Sequence, residues 1–446
     1  MWEQPAGRPP AAEDRSPHPD TSVGDRVDDI SAALDLLREH GPTSRNALAE
    51  SMKLGRKALN TLLEPLLGLG LVVPDDPAPP SGGRPSRRVR FRPERGRLLV
   101  AQLGATAMAV AVTELDGRVL QRHHERHDMA AGPEVILSRV EELLSAMAAE
   151  SAPADDAPVW GMGVGLPGPV EFASGRPVAP PLMPGWDGYP VRDRLALRFG
   201  VPVWVDNDVN IMALGELHGG EADGHRDIVY LKIGTGIGAA LLSDGRLHRG
   251  ANGAAGDLGH VAAHSDRSVL CPCGRLNCLE ALAGGAALIR DATEEARRHD
   301  AGFLAETLRE QGELSLRDIA TAARRGDGGA RALLAQSGRL VGDTLATVVN
   351  FYNPTVIVIG GRAVVAGDLI LSPVRHAVFQ RSLPLATRDL RIIGSVDSRH
   401  AGLRGAARLA ADELFSPSAL ASWLPHGSPV GRPETVHATG TERKSS

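Results

Sequence analysis

The sequence predicts a mixed α/β protein in which a large, internally duplicated domain follows a small helical one. One pattern occurs twice, at residues 98–117 and 228–245: an apolar strand, a Gly/Thr-rich loop, a second strand and an Asp-Gly turn. Asp-Gly between apolar runs is typical of a tight hairpin, and its recurrence after similar loops indicates two related halves with a cleft between them. Before this repeat, apolar residues at helical spacing in 27–37 begin the small domain.

The composition of the 446 residues is that of a globular protein. No apolar stretch is as long as a membrane helix, and no apolar signal segment precedes the first helix, so we expect a cytoplasmic protein without a membrane partner. The net charge of −5 neither favours nor excludes nucleic acid, because a basic patch can hide in a balanced total. The polar stretches 1–22 and 426–446 are predicted to be a disordered leader and tail.

Residues 23–95 are predicted to form a winged helix-turn-helix. The first helix ends at Gly41-Pro42, and a hydroxyl residue, Thr43 or Ser44, caps a short second helix. A turn at 54–55 leads to the third helix, which is followed by a hairpin around a Pro/Gly-rich turn at 79–85. The second and third helices and this hairpin are the parts that such domains place against DNA.

The third helix and the wing carry the residues expected to contact DNA. On the helix these are the outward-facing Arg56, Lys57, Asn60 and Thr61. On the wing they are Arg84, Arg87 and Arg88, in a run of arginines that continues through 90, 92, 95 and 97 and suits an adjacent minor groove. A solvated basic linker is the alternative interpretation of that run. Pro65 would interrupt the third helix unless that helix ends near Glu64, because proline disrupts a helix interior, so the end of this helix stays open.

Residues 96–425 are predicted to form the duplicated α/β domain. Helices at 134–149 and 340–349 lie between strands, which makes the sheets partly parallel. The apolar run 355–359 indicates a buried strand that Gly360-Gly361 terminates.

All three cysteines lie close together, which favours a metal site over a disulfide framework. Cys271, Cys273 and Cys278 supply three thiolates, and His260 in a Gly-flanked turn is the nearest upstream histidine. His264 competes for the fourth position. Four such ligands close a tetrahedral zinc site, which predicts a structural zinc rather than a catalytic one.

Several motifs together resemble the ROK family of repressors, sugar kinases and unassigned open reading frames. The segment from His260 through the cysteines to Glu280 is similar to that family's signature. Four further segments resemble family motifs: GMGVGLPGPV (161–170), PPLMPGWDGYPVRDRL (180–195), WVDNDVN (204–210) and DGRLHRGANGAAGDLGH (244–260). The resemblance implies a duplicated actin-like/ribonuclease H-like sugar-kinase fold, here behind a DNA-binding domain.

The resemblance also implies which residues bind a sugar. The matching positions are Asn207, Asp208, Asp257, His260 and Glu280. Hydroxyl-rich ligands need several convergent donors and acceptors, which fits this set. The family usually has Glu where Asp257 stands, so this side chain is shorter by one methylene. Taken without the other motifs, 206–208 would be interpreted as a helix N-cap after a strand.

The nucleotide site implied by the resemblance is altered. Its expected residues are Thr106 in the first loop, Gly234, Thr235 and Gly236 in the second, and the adenosine-side Gly360 and Gly361. Asp208 stands where the family's kinases place their catalytic base. Those kinases also have an aspartate where this chain has Gln102, and a neutral amide is a poor ligand for magnesium. ATP and magnesium are therefore expected only if kinase activity is retained.

Two functions remain open from the sequence. The first is a sugar-responsive transcriptional regulator, a homodimer or dimer of dimers on a palindromic DNA operator, which binds a sugar or amino-sugar effector without phosphorylating it. The alternative is an ATP-dependent, glucokinase-like sugar kinase with an accessory DNA-binding domain.

Overall fold

The structure is a computed structural model that describes residues 23–75, 88–150, 157–181, 183–299 and 301–435. The chain divides into two compact units. One comprises the described part of 1–91 together with 416–421, and the other comprises the remainder. The predicted leader and the wing tip with Arg84 and Arg87 lie outside the described residues.

Within the described part of residues 1–91, the N-terminal unit has three helices and a small antiparallel sheet. Its elements are α1 (Val23–His40), β1 (Thr43–Ser44), α2 (Arg45–Ser51), α3 (Arg56–Gly68), β2 (Val72–Asp75) and β3 (Arg88–Phe91), with strand order β1-β3-β2. Ser44, one of the two candidates, caps α2, because its hydroxyl accepts a hydrogen bond of 3.1 Å from the N–H of Ala47. This element order is the one predicted for a winged helix-turn-helix.

The third helix continues through Pro65 to Gly68, so it neither ends near Glu64 nor is interrupted by the proline. Proline removes the N–H that would bond to the carbonyl four residues earlier, which is that of Thr61. Arg26 of α1 donates a hydrogen bond of 3.4 Å to that carbonyl. Leu62, Leu63 and Leu66 on either side of the proline are buried and hold the helix against the core.

Two five-stranded sheets of the same topology form the large unit, which confirms the predicted duplication. The first contains β4 (Arg97–Leu103), β5 (Ala107–Glu114), β6 (Val119–Arg126), β7 (Val159–Leu166) and β10 (Val203–Asn207), in the order β10-β7-β4-β5-β6. The second contains β11 (Ile228–Ile233), β12 (Ile237–Ser243), β13 (Arg246–His248), β14 (Val356–Gly360) and β15 (Arg391–Gly394), in the order β13-β12-β11-β14-β15. In each, three antiparallel strands are followed by two parallel ones.

Helices cover these sheets, and a hairpin of β8 (Val170–Glu171) and β9 (Arg176–Pro177) extends the first half. The helices are α4 (Pro133–Glu150), α5 (Val191–Phe199), α6 (Asp208–Leu217), α7 (Leu279–Ala283), α8 (Gly285–Arg298), α9 (Phe303–Gln311), α10 (Leu316–Arg324), α11 (Gly328–Tyr352), α12 (Asp368–Arg381), α13 (Pro384–Thr387) and α14 (Ser398–Leu414). A last helix, α15 (Pro417–Trp423), contains residues 417–421 of the N-terminal unit. The helix predicted at 340–349 is the second half of α11, whose start is capped by Asp327. Within the described ranges, no helix is both long and apolar enough to cross a bilayer.

Glycines let α6 and α14 pack with their backbones in close contact. A Cβ added to Gly405 of α14 would lie 1.7 Å from the carbonyl oxygen of Ile211, and one added to Gly215 of α6 would lie 1.9 Å from that of Ala401. Neither position has room for a methyl group, because the obstructing atoms belong to the backbone. Since α6 begins at Asp208, this contact also fixes the position of that residue.

We expect Gly405→Ala to lower the free energy of unfolding by about 1–3 kcal/mol, because the added methyl group forces the two helices apart. Gly328→Ala is the matched control, since that glycine begins α11 and has no atom within 4 Å of an added Cβ. Tryptophan fluorescence during urea unfolding is a suitable measurement, because Trp160, Trp186, Trp204 and Trp423 are buried in the large unit. Equal midpoints for the two variants would contradict the prediction.

Candidate functional site

The junction between β10 and α6 is the centre of the candidate site. Asn207 is the N-cap of α6, and its Oδ1 accepts hydrogen bonds from the N–H groups of Val209 (2.8 Å) and Asn210 (3.4 Å). Its amide nitrogen donates to the carbonyl of Gly168 at 2.7 Å. The capping role considered for 206–208 is therefore present, and it fixes the orientation of the Asn207 side chain.

Asp208, the first residue of α6, is 2% exposed and forms an ion pair with Lys232. Lys232 lies on β11 of the second half, and its ammonium donates to one carboxylate oxygen of Asp208. The sequence prediction missed this residue. The available signal was a lysine inside the apolar run of β11, two positions before Gly234.

Asp206 is a second buried carboxylate at the same junction, with an exposure of 1%. It accepts hydrogen bonds from Nδ2 of Asn210 (2.8 Å) and from Nε of Arg249 (2.8 Å). The Arg249 guanidinium also lies 3.8 Å above the ring centroid of Phe172. Asp206 and Arg249 both belong to motifs noted in the sequence, but neither had been assigned a role.

Loop 254–260 and the start of α7 carry the other predicted sugar contacts. Glu280 in α7 accepts a hydrogen bond of 3.0 Å from the N–H of Ile237, at the start of β12. Gly259 packs against the same residue, because an added Cβ would lie 2.1 Å from its carbonyl oxygen. In β12 the next residue, Gly238, is the cross-strand partner of Lys232, which holds Asp208. The structure thus brings Asp208, Glu280 and the turn before His260 to one end of the β11–β12 hairpin.

Asp257 and His264 line a cavity of about 890 Å³ between the second sheet and α11. Asp257 precedes the short turn Leu258–His260. His264, the competing zinc ligand, is not part of the cysteine cluster among the described residues.

His260, Cys271, Cys273 and Cys278 form a cluster that could hold a metal ion, with all ligand atoms within 4.8 Å of one another. Nδ1 of His260 lies 3.6 Å from Sγ of Cys271, and Sγ of Cys273 lies 3.6 Å from Sγ of Cys278. Tetrahedral zinc with Zn–S bonds of about 2.3 Å separates its ligand atoms by about 3.6–3.8 Å, and these two separations agree with that value.

Burial affects the protonation of these thiols. It raises the pKa of Cys278 to about 12 and also raises the pKa of Cys271. The backbone N–H of Arg275 lowers the pKa of Cys273, since it stabilises the thiolate. A metal ion that binds the thiolates must displace protons from the two buried thiols. The affinity of the cluster for the metal therefore falls as the pH falls.

Other parts of the chain form hydrogen bonds with the loops predicted to bind a nucleotide. Thr235 accepts a hydrogen bond of 2.7 Å from Arg362, which follows Gly360-Gly361. The carbonyl of Gly234 accepts from the N–H of Gly285 at 3.0 Å. In the first loop, the carbonyl of Thr106 accepts from the N–H of His127 at 3.2 Å.

Gln102 occupies a narrow space beside that first loop. An added Cβ on Gly165 would lie 2.6 Å from its Oε1, and one on Gly402 would lie 2.7 Å from its side-chain carbons. Oε1 is buried and accepts no hydrogen bond from any described residue. The side chain is thus held between two glycines, with its amide oxygen without a protein partner.

The outer face of α3 exposes the four predicted DNA contacts. No described residue pairs with the charged groups of Arg56 and Lys57. Asn60 accepts a hydrogen bond of 2.9 Å from Arg45, and Thr61 donates one of 3.2 Å to the carbonyl of Lys57.

Arg88 on the wing strand, one of the predicted DNA contacts, also has partners within the N-terminal unit. Arg88 donates a hydrogen bond of 2.6 Å to the carbonyl of Pro42 and lies 3.6 Å from a carboxylate oxygen of Asp75. It therefore links the strands of the small sheet. Arg97 is only 4% exposed in β4, and Arg95 lies 5.6 Å from the ring centroid of Trp160, so the end of the arginine run belongs to the large unit.

Known proteins show the same fold and similar sequences. The xylose repressor of Caldicellulosiruptor bescii is 28% identical over 387 residues, which cover 86% of this chain and 96% of the repressor. A solved ROK family transcriptional regulator, a homolog of the E. coli MLC protein, superposes with a TM-score of 0.74 at 24% identity and covers 94% of this chain and 100% of its own.

A glucokinase is also similar, over a smaller part of the chain. The enzyme of Streptomyces griseus, solved with glucose and AMPPNP, is 28% identical and gives a TM-score of 0.61 over 71% of this chain and 99% of its own. The sequence profile of the ROK family matches residues 99–413. The chain therefore belongs to the ROK family.

Proposed function

We propose that this protein is a sugar-responsive transcriptional regulator whose large unit binds a sugar effector without phosphorylating it. The observation that carries the proposal is the presence, in one chain, of an N-terminal unit with an exposed basic helix and a ROK domain with Gln102 at its first phosphate loop. The xylose repressor and the MLC homolog match 86% and 94% of this chain, whereas the glucokinase matches 71%.

The sugar would bind where the two halves of the large unit meet. Asp208 and Asn207 come from the first half, and Asp257, His260 and Glu280 come from the second. The shared location of Asp208 and Glu280 at the end of the β11–β12 hairpin supports this pocket. Carboxylates that are already held by protein donors are suitable acceptors for sugar hydroxyls, because they need no reorganisation to bind.

Phosphoryl transfer would be impaired at the first loop. A carboxylate at position 102 would help to order magnesium, but the Gln102 amide is neutral and is held between Gly165 and Gly402. The alternative, an ATP-dependent sugar kinase, is favoured by one observation, the retained loop 234–236 next to Asp208. Thr106, Gly360 and Gly361 would complete its nucleotide site.

Operator DNA is the macromolecular partner in this proposal, with the N-terminal unit as a winged helix-turn-helix. Arg56 and Lys57 of α3 would contact bases and phosphates, joined by Asn60 and Thr61. A homodimer or a dimer of dimers would read a palindromic site, because two-fold protein symmetry matches two-fold symmetry in the operator. A cytoplasmic location belongs to the same proposal.

Zinc is the proposed ion in the His260–Cys cluster. The soft thiolates favour it, two of the ligand separations agree with tetrahedral zinc, and four protein ligands leave no open position for catalysis. Its role would be to fix the loop between His260 and Glu280. With Nδ1 of His260 facing the cluster, Nε2 would remain available to a sugar hydroxyl.

We expect the double variant Arg56→Ala/Lys57→Ala to bind a DNA site selected by the wild-type protein at least about 10-fold more weakly, because two cationic contacts are lost. The slope of log Kd against log salt should fall by about 2. Fluorescence anisotropy with labelled duplexes measures both quantities. Arg309→Ala is the control, since it removes an exposed arginine of the large unit and should change neither. If the wild-type protein bound all DNA sequences with equal affinity, the proposed function as a transcriptional regulator would be ruled out.

Purified wild-type protein should contain about one zinc per chain by elemental analysis. Cys273→Ser should lose the metal, because three ligands hold zinc much more weakly than four. His264→Ala is the matched control and should retain it, since His264 lies outside the cluster. A metal-free wild-type protein with a normal unfolding transition would contradict the assignment.

A thermal-shift screen with D-xylose, D-glucose and D-glucosamine should identify a sugar that raises the Tm, because a ligand that binds only the folded state stabilises it. Glu280→Gln should weaken the affinity for that sugar about 10-fold, since a charged hydrogen bond is lost, whereas the exposed Glu313→Gln should leave it unchanged. The same sugars with ATP should release no ADP above background. Turnover by the wild-type protein would favour the kinase instead.

A further inference from the structure

Arg249 connects the two halves of the large unit through its side chain. It follows β13 in the second half, and its guanidinium bonds to Asp206 at the end of β10 in the first half (2.8 Å). The other oxygen of that carboxylate accepts a hydrogen bond of 2.7 Å from the N–H of Asn207. Through Asp206, the guanidinium therefore holds the junction between β10 and α6 that carries Asn207 and Asp208.

The backbone of Arg249 is tied to the other side of the proposed pocket. Its carbonyl accepts a hydrogen bond of 3.1 Å from the N–H of Ala255, which closes the turn that leads to Asp257. The next residue, Gly256, is fixed to β12, because its carbonyl accepts from the N–H of Ala239 at 2.9 Å. One residue thus holds both the strand end with Asn207 and the loop with Asp257.

The same loop has a second contact with the first half. Phe172, which lies under the Arg249 guanidinium, belongs to the β8–β9 hairpin. Gly253 packs against this hairpin as well, since an added Cβ would lie 2.9 Å from the carbonyl oxygen of Val170. A change in the separation of the halves would therefore alter the surroundings of Arg249.

We propose that Arg249 is a positioning residue that couples the two sets of sugar contacts, so that sugar binding changes the arrangement of the halves and with it the affinity for DNA. This inference rests on the proposed function. An ion pair that served only to neutralise the buried Asp206 would satisfy the carboxylate without transmitting a sugar response. The coupling role and the purely neutralising role of Arg249 differ in one measurable quantity, the ratio of the DNA Kd values with and without sugar.

The experiment measures that ratio for the full-length protein with D-xylose, D-glucose and D-glucosamine at saturating concentrations. We expect a wild-type ratio of about 5- to 150-fold for the effective sugar. Arg249→Gln should bring the ratio to within about 2-fold of unity, because the amide cannot pair with Asp206 across the same distance. Arg249→Lys, which retains the charge but not the planar group over Phe172, should give an intermediate ratio.

Two further variants keep the test decisive if Arg249→Gln does not fold. Asp206→Asn removes the charge on the other side of the pair, and Phe172→Leu removes only the ring beneath the guanidinium. Both should lower the ratio, and Arg309→Ala should not. If Arg249→Gln or Asp206→Asn folds and keeps the wild-type ratio, the coupling role of Arg249 is wrong, and the proposed function is unaffected. A ratio of 1 for the wild-type protein with every sugar overturns the proposed function, and this inference with it.

Discussion

Two buried carboxylates flank Asn207, and each is neutralised by a cation from the second half of the large unit. Asp206 pairs with Arg249, and Asp208 pairs with Lys232. Loss of one partner from a buried ion pair costs about 3–5 kcal/mol, because the remaining charge stays buried without compensation. The two pairs therefore restrict how the halves can separate, and they do so at the residues that would bind a sugar.

Features that depend on local sequence could be predicted. The duplicated sheets follow from apolar runs separated by Asp-Gly turns, and Gly117, Asp244 and Gly245 adopt the positive φ angles that such turns favour. The clustering of His260 with the three cysteines was also predictable, because three of the four side chains lie within one short loop and thiols so close together favour a metal site. For both features, the residues that matter are close together in the chain.

Features that depend on partners distant in the sequence could not be predicted. Lys232 and Arg249 contact carboxylates far away in the sequence, and only the register of β11 and the path of the loop after β13 bring them there. The same reason explains the third helix, since the carbonyl freed by Pro65 is bonded by Arg26 from another helix. Side-chain chemistry alone does not reveal which charges meet.

Two features that would oppose phosphoryl transfer in the proposed regulator lie on different strands, β4 and β11. On β4, the neutral amide of Gln102 stands where the resemblance to the family's kinases implies a carboxylate that would order magnesium, and it is held between glycines of β7 and α14. On β11, Lys232 occupies one oxygen of Asp208, the carboxylate that would have to accept the proton of a sugar hydroxyl. A sensor needs neither the metal nor a free base, but it does need a carboxylate that is held rigidly in place. In the proposed regulator, the ion pair with Lys232 would supply that rigidity, so the contact that would oppose catalysis would favour recognition.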